Sequence, residues 1–308
     1  MIYFCLYCKY MNGIINVYKE KGFTSHDVVA KLRGILHQKK IGHTGTLDPD
    51  AVGVLPVCLG NATKLCDMLT DKDKTYEAVL KLGIVTDTQD MTGKVLEEKE
   101  VINTKEEIEE VIMSFVGDYE QIPPMYSALK VNGKKLYELA REGKTIERKA
   151  RGVKIHEIKI LKLELENQEA CIQVKCSKGT YIRTLCHDIG QKLGCGGCMK
   201  SLIRTKVSDF TIDKSLTLDQ IQAARDKDEL GNYIINVDEM FTGNPKIIMK
   251  ADSDRFVYNG NSFMKKNIEK QEQGIGEWIK VYDSKNIFVG IYTFMEEENI
   301  YKPVKMFL

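Results

Sequence analysis

One irregular stretch constrains this chain more than any other, because it combines turn residues and apolar residues with an acid that directly precedes a proline. It reads Gly42-His43-Thr44-Gly45-Thr46-Leu47-Asp48-Pro49, and a largely apolar segment continues from Ala51 to Gly60. Glycine and proline at this density predict a loop of fixed shape. The following proline holds the backbone of Asp48 in extended geometry. The stretch therefore presents the Asp48 carboxylate on a rigid loop beside an apolar run.

Taken alone, the Asp48-Pro49 dipeptide allows three interpretations. Asp-Pro commonly starts a turn, which would give the acid a purely structural role. The spacing from Asp48 to Asp50 also matches the aspartate nucleophile of phosphotransferases, but those enzymes place the acid at the end of a buried apolar strand. The third interpretation is a reactive carboxylate, and the motifs around the loop favour it.

The stretch from Lys40 to Lys64 resembles the first signature of the TruB family, the bacterial tRNA pseudouridine synthases that act at uridine 55. Later segments resemble further signatures of this family, in chain order Lys74 to Gly93, Pro123 to Gly143, Cys176 to Leu185 and Leu193 to Phe210. Such a series is far more specific than one short motif. The family usually has glycine where Ser208 stands.

The resemblance implies an α+β fold with a mixed, mainly antiparallel central sheet flanked by helices. Residues 1–10 are interpreted as an N-terminal extension. Residues 11–243 form the predicted pseudouridine synthase domain, which carries a basic RNA-clamping arm at about 123–152. Residues 244–308 form a small β-rich domain similar to the PUA type of RNA-binding domain, after a linker of turn residues.

Two local predictions bear on how the site is built. Ser25 is predicted to cap a helix whose inner face includes Val28 and Leu32. Tyr181 and Arg183 are predicted to lie in extended chain, where alternate side chains share one face. An arginine and a tyrosine that face the same acid could act as its ion-pair partner and as a proton-transfer group.

Three residues are the implied catalytic set. Pseudouridine formation moves the ribose bond from the uracil nitrogen to carbon 5, so it needs a nucleophile that can leave again, which suits Asp48. Arg183 is the candidate ion-pair partner and would lower the pKa of that carboxyl. Tyr181 would lie near carbon 5, where a proton is lost. The residues leave open whether Asp48 attacks the sugar or the base.

The remaining implied contacts bind the substrate. The uridine lies in a structured loop, so it must flip out to be reached. Tyr76 would stack on the flipped base, and Leu202 would close the apolar wall of the pocket. His43 would lie under the neighbouring RNA, and Lys64 completes the substrate-binding set. A core aromatic for Tyr76 and an ordinary loop histidine for His43 remain open alternatives.

Charge points to nucleic acid only through its distribution. The chain has a formal net charge of +1, but residues 130–159 carry ten Lys or Arg and four Glu. This segment opens with the arm signature, so its cations are expected to contact phosphates. The implied contacts are Lys130, Lys134, Lys135, Arg141 and Arg148. A plain solvated helix face is the alternative.

No cofactor or metal is expected, because the reaction involves neither redox change nor hydrolysis, and the sequence has no Walker A loop and no dinucleotide fingerprint. Nine cysteines scattered over 308 residues favour a reducing cytoplasm over a disulfide framework. The pairs Cys5-x-x-Cys8 and Cys195-x-x-Cys198 leave a four-thiolate zinc site as an alternative. No apolar run approaches the roughly 18 residues of a membrane helix.

The sequence thus predicts a monomeric isomerase that acts on the T-arm stem-loop of tRNA without an obligate protein partner. A second hypothesis is a tRNA-binding folding chaperone in which catalysis is incidental.

Overall fold

A computed structural model describes residues 10–131 and 133–308. The predicted N-terminal extension therefore lies almost wholly outside the described residues. The helices are α1 (Ser25–Leu36), α2 (Cys66–Thr70), α3 (Lys105–Met113), α4 (Leu136–Arg141), α5 (Ile182–Leu193), α6 (Leu218–Asp226) and α7 (Asp254–Tyr258). The strands are β1 (Gly13–Lys19), β2 (Ile41–His43), β3 (Val52–Leu59), β4 (Lys74–Leu82), β5 (Ile84–Thr86), β6 (Val95–Glu98), β7 (Gly117–Gln121), β8 (Lys130–Val131), β9 (Lys134–Lys135), β10 (Arg151–Glu164), β11 (Glu169–Cys176), β12 (Gly197–Val207), β13 (Phe210–Thr211), β14 (Ile234–Ile235), β15 (Lys246–Met249), β16 (Ile268–Glu272), β17 (Ile279–Tyr282), β18 (Phe288–Met295) and β19 (Ile300–Met306).

A ten-stranded sheet frames the larger part of the described chain. Its order is β14-β1-β3-β12-β4-β11-β10-β7, with β2 on β3 and β13 on β12. The contact of β3 with β12 is parallel, and the other pairings of this sheet are antiparallel. The prediction of a mixed, mainly antiparallel sheet is confirmed. Because β3 and β4 both border β12, the Asp48 loop and Tyr76 meet there.

Apolar periodicity places the helices on this sheet. Alternate residues of β4 are buried, including Tyr76, Ala78 and Leu80, and they pack with α3 and α5 in one core cluster. A second cluster joins β1 and β3 to α1 and α6. The site forms on the first of these cores, because Tyr76 and Leu47 both belong to it.

The C-terminal region is β-rich, as predicted. Its five strands follow the order β16-β15-β17-β18-β19 and enclose a core of their own. A further apolar cluster includes Leu65 and Phe241 together with Ile291 and Phe307, so the second sheet packs against the first part of the chain. No helix in residues 10–131 or 133–308 is long and apolar enough to cross a membrane.

Two local predictions are wrong. Thr24, not Ser25, caps α1 through a reciprocal capping box with Asp27. Helix α5 begins at Ile182, so Arg183 lies in the first turn of a helix, and only Tyr181, its N-cap, is extended. At the position where the family usually has glycine, Ser208 adopts a φ of 49°, in the left-handed region that favours glycine.

Candidate active site

Three contacts hold the Asp48 loop in place. The ammonium of Lys19 is fully buried and donates to the main-chain oxygens of Pro49 (3.0 Å) and Ala51 (2.6 Å). Ser25 at the start of α1 accepts a hydrogen bond from the amide of Leu47 at 2.9 Å. Main-chain groups on both sides of Asp48 are therefore fixed, and its side chain has little freedom to move.

Arg183 binds the Asp48 carboxylate through two of its nitrogen donors. Its Nε lies 3.0 Å from Oδ2, and its Nη2 lies 3.3 Å from Oδ1. Its remaining donors contact the main-chain oxygens of Tyr126 at 2.8 Å and Thr88 at 3.2 Å. The Arg183 side chain is 6% exposed, whereas that of Asp48 is 40% exposed. The Asp48 carboxylate is thus bound by Arg183 on one side and accessible to solvent on the other.

A second carboxylate, Asp90, completes the network around Arg183. Its Oδ2 lies 3.5 Å from Nη1 of Arg183, and its Oδ1 accepts from the Thr88 hydroxyl (2.8 Å) and the Thr92 amide (3.0 Å). Burial raises the pKa of Asp48, Arg183 opposes the shift and Asp90 adds to it. The expected lowering of this pKa is therefore wrong, since it took only the arginine into account.

Tyr76 and Leu202 form an apolar wall beside the loop. Each is 8% exposed, and both pack with Leu47 in the same core cluster. Behind them lies Arg204, which is 1% exposed and donates to the main-chain oxygens of Val54 (2.7 Å) and Gly45 (3.2 Å). Tyr76 is thus largely buried and packs against the loop that carries the acid.

Tyr181 immediately precedes α5 and is half-buried. Burial raises the pKa of its phenol, and the nearby cations of Arg151 and Arg183 oppose the shift. The Asp48 carboxylate raises the pKa of Tyr181 and also that of Tyr76, in both cases after burial as the main cause. Both phenols therefore lie within electrostatic reach of the acid, and both are protonated near pH 7.

His43 ends β2 and is half-buried. Its Nδ1 accepts from the amide of Gly45 at 3.3 Å, and its ring meets that of His26 edge-on at 5.3 Å. Burial, together with His26 and Arg204, lowers the pKa of His43 to about 4. The ring is therefore neutral at physiological pH, and it can contact RNA by stacking or hydrogen bonding but not by charge.

Lys64 does not contact the hydrogen-bond network around Asp48. Its ammonium donates to the main-chain oxygen of Leu308 at 3.2 Å, so it lies against the last residue of the chain. Its role in substrate binding stays a prediction.

The basic arm is built around a small hairpin and a short helix. Lys130 and Lys134 lie exposed on β8 and β9. Lys135 and Arg141 lie over the ring of Tyr137, at 5.2 and 5.4 Å from its centroid. The fifth cation, Arg148, donates to the main-chain oxygen of Pro123 at 3.1 Å. Lys130 and Lys134 are thus exposed and clear of the aromatic ring, although Lys134 lies 3.9 Å from the Glu142 carboxylate, while the other three cations contact groups of the arm itself.

Sequence reasoning missed three residues of this site. Asp90 lies in a run of threonines and acids that is typical of a turn, so its contact with Arg183 is not evident from the sequence. Lys19 and Arg204 gave no signal, because nothing local shows that a cation will be buried. In the described residues no group of three or more His, Cys, Asp or Glu could hold a metal. Cys195 and Cys198 are buried, and the other cysteine pair lies outside these residues.

Comparisons with known proteins agree on one family. Residues 33–182 match the family model "TruB family pseudouridylate synthase (N terminal domain)", and residues 183–242 match "tRNA pseudouridylate synthase B C-terminal domain". The chain is 61% identical to tRNA pseudouridine synthase B of Lachnoclostridium phytofermentans, over 97% of this chain and 100% of that protein. It is 46% identical to the protein of the same name from Alkaliphilus oremlandii, over 96% and 97%.

Solved structures share the fold of this chain at lower sequence identity. A Cbf5-Nop10-Gar1 complex contains a chain that superposes with a TM-score of 0.70 at 27% identity, covering 98% of this chain and 86% of that one. An H/ACA RNP bound to a substrate RNA containing 2'-deoxyuridine also gives a TM-score of 0.70, at 26% identity, over 96% and 85%.

Proposed function

Since this chain belongs to the TruB family of pseudouridylate synthases, which isomerise uridine in tRNA to pseudouridine, we propose that Asp48 is its nucleophile and that its target is uridine 55 in the T loop. The observation that carries the proposal is the two-point contact of Arg183 with Asp48, at 3.0 and 3.3 Å. That contact leaves the other side of the carboxylate open to a substrate.

The flipped uridine binds in the open space beside Asp48. Tyr76 and Leu202 supply an apolar surface on which the uracil ring stacks, and stacking on an aromatic ring is worth about 1–3 kcal/mol per base. Flipping unpairs and unstacks the nucleotide, and this contact offsets part of that cost. A neutral His43 lies at the rim, where it contacts the neighbouring RNA.

Arg183 prepares the acid for nucleophilic attack. Two charge-assisted hydrogen bonds fix the rotation of the carboxylate about its Cβ–Cγ bond, so that it presents one orientation to the substrate. Burial and Asp90 raise the pKa of Asp48, which makes the carboxylate a stronger nucleophile than an exposed one. The opposing Arg183 keeps it ionised and lets it leave again, after the ribose bond has moved from nitrogen to carbon 5.

Tyr181 takes part in the last step. The net reaction removes a proton from carbon 5 of uracil and adds one to the nitrogen that has lost the ribose. A neutral phenol accepts a proton from carbon only as it gives its own proton to a neighbouring acceptor, here water at the open side of the site. Its position therefore matters more than its basicity.

The arm and the C-terminal domain select the RNA. Lys130 and Lys134 contact phosphates of the T-arm stem-loop, while the PUA-like domain of residues 244–308 adds a second contact with the same tRNA. We infer that the protein acts as a monomer in the cytoplasm, where tRNA is found. Size-exclusion chromatography with light scattering, with and without tRNA, tests the monomer.

The decisive experiment maps pseudouridine at single-base resolution in an unmodified tRNA transcript treated with the protein. Pseudouridine is expected at position 55, and Asp48→Asn should abolish it while tRNA affinity persists. Asp50→Asn is the matched control, because Asp50 is exposed and its closest cation, Lys21, is 3.9 Å away. Full conversion by Asp48→Asn would refute the nucleophile. An Asp48→Asn protein that has lost conversion but still restores tRNA folding as well as wild type would favour the chaperone hypothesis.

A further inference from the structure

Gln121 makes a contact that the reaction scheme does not use. It is 1% exposed and ends β7. Its side-chain oxygen accepts from the amide of Tyr181 at 2.8 Å, and its side-chain nitrogen donates to the main-chain oxygen of Tyr181 at 3.0 Å. One carboxamide therefore binds both main-chain polar groups of the same residue, as a neighbouring strand would.

Tyr181 depends on this contact because of its place in the chain. It is the N-cap of α5, and its own side chain makes no capping hydrogen bond. Its amide precedes the helix and has no helical acceptor. Gln121 supplies that acceptor at a partly buried contact, where an unpaired amide costs up to about 1–3 kcal/mol.

The same short segment also contacts the catalytic arginine. The main-chain oxygen of Tyr126 accepts from Nη2 of Arg183 at 2.8 Å. Residues 121–126 thus contact Tyr181, the N-cap of α5, and Arg183 in its first turn, and they lead from β7 into the arm. The N-terminal end of α5 is therefore held by the segment that connects β7 to the arm.

We propose that Gln121 is a positioning residue that fixes the phenol of Tyr181 for proton removal from carbon 5. The proposal rests on the proposed function, because it takes Tyr181 as the group near carbon 5. Rotation of the Tyr181 main chain would swing the phenol oxygen, which lies several bonds farther out. A displacement of about 1 Å at a reacting group can cost on the order of 10²-fold in rate.

The test compares Gln121→Ala with Gln38→Ala. Gln38 is a matched control, because it is 3% exposed and its carboxamide likewise binds both the amide and the oxygen of one residue, Met11, at 2.9 Å each. Both variants should lose similar thermal stability. Single-turnover conversion is measured with tRNA transcripts made with ordinary uridine and with uridine deuterated at carbon 5.

Gln121→Ala should convert tRNA about 10- to 100-fold more slowly at saturating enzyme, with unchanged tRNA affinity and a larger deuterium isotope effect than wild type. Gln38→Ala should keep the wild-type rate and isotope effect. Equal rates in the two variants, or a slower Gln121→Ala with an unchanged isotope effect, would overturn the proposal. Tyr181→Phe distinguishes a failure of the proposed function from a failure of this inference. Wild-type activity of Tyr181→Phe would refute the role of the phenol in proton removal. An inactive Tyr181→Phe together with a normal Gln121→Ala would refute only the positioning role of Gln121.

Discussion

The substitution Arg183→Lys tests the ion pair most directly, because it keeps the positive charge and removes the fork of donors. Arg183 now contacts both oxygens of Asp48, one oxygen of Asp90 and the main-chain oxygens of Thr88 and Tyr126. An ammonium is a point charge without a planar fork of donors, so it cannot bind both oxygens of Asp48 and fix the rotation of the carboxylate in the same way. The Asp48 carboxylate would lose its fixed orientation and one or more of the hydrogen bonds that offset the cost of burying its charge.

The size of the effect follows from these contacts. A hydrogen bond to a charged group is worth about 1.5–3 kcal/mol, and a lysine in place of Arg183 loses at least one of the two to Asp48. A loss of about 1.5–3 kcal/mol in the transition state corresponds to roughly 10- to 100-fold in rate, since each tenfold is about 1.4 kcal/mol. Affinity for tRNA should change by less than about threefold, because the exposed arm cations Lys130 and Lys134 are unchanged.

Tritium release from tRNA labelled at carbon 5 of uridine, under single-turnover conditions, measures this rate. Arg225→Lys is the matched control, since Arg225 lies on α6 in a more exposed ion pair with Asp226 at 3.6 Å. It should keep the wild-type rate. An Arg183→Lys protein that is folded and within threefold of wild type would show that the two-point contact does not organise the reaction.

Four further predictions follow from the same geometry. Burial raises the pKa of Asp48, so the single-turnover rate should fall on the acid side through a midpoint above the ordinary value of about 3.9; a midpoint at or below that value would contradict the burial. The pKa of His43 is lowered to about 4, so the unfolded state binds more protons between about pH 6.5 and 4, and stability should fall as the pH drops through this window. An NMR titration of the His43 ring with a midpoint near 6.5 would refute it. Lys19→Met should lower the melting temperature and slow conversion roughly tenfold, because the loop loses charge-assisted hydrogen bonds to its carbonyls. A normal rate would show that Lys19 does not position the Asp48 loop for the reaction. Replacing Lys130 and Lys134 by Gln should weaken tRNA binding and reduce its salt slope by about 2 without changing the saturated rate; an unchanged slope would remove them from the RNA interface.

The sequence by itself determined much of the catalytic loop and of the sheet beside it. Glycines, prolines and Asp48 stand next to one another in the chain, so the shape of the loop follows from local turn chemistry. Strand β4 alternates between buried and half-buried residues, and that period predicts the side on which Tyr76 lies. The family signatures are also runs of neighbouring residues, which made the resemblance visible.

Tertiary structure alone decided how these parts meet. Arg183 lies 135 positions after Asp48, and its contact with the acid follows from the packing of α5 against the sheet. The same packing buried Lys19 and Arg204, placed Asp90 beside the guanidinium and gave Tyr181 its partner in Gln121. It also reversed the expected shift of the pKa of Asp48. Burial and long-range electrostatics depend on every element packed around a group, so no stretch of neighbouring residues contains them.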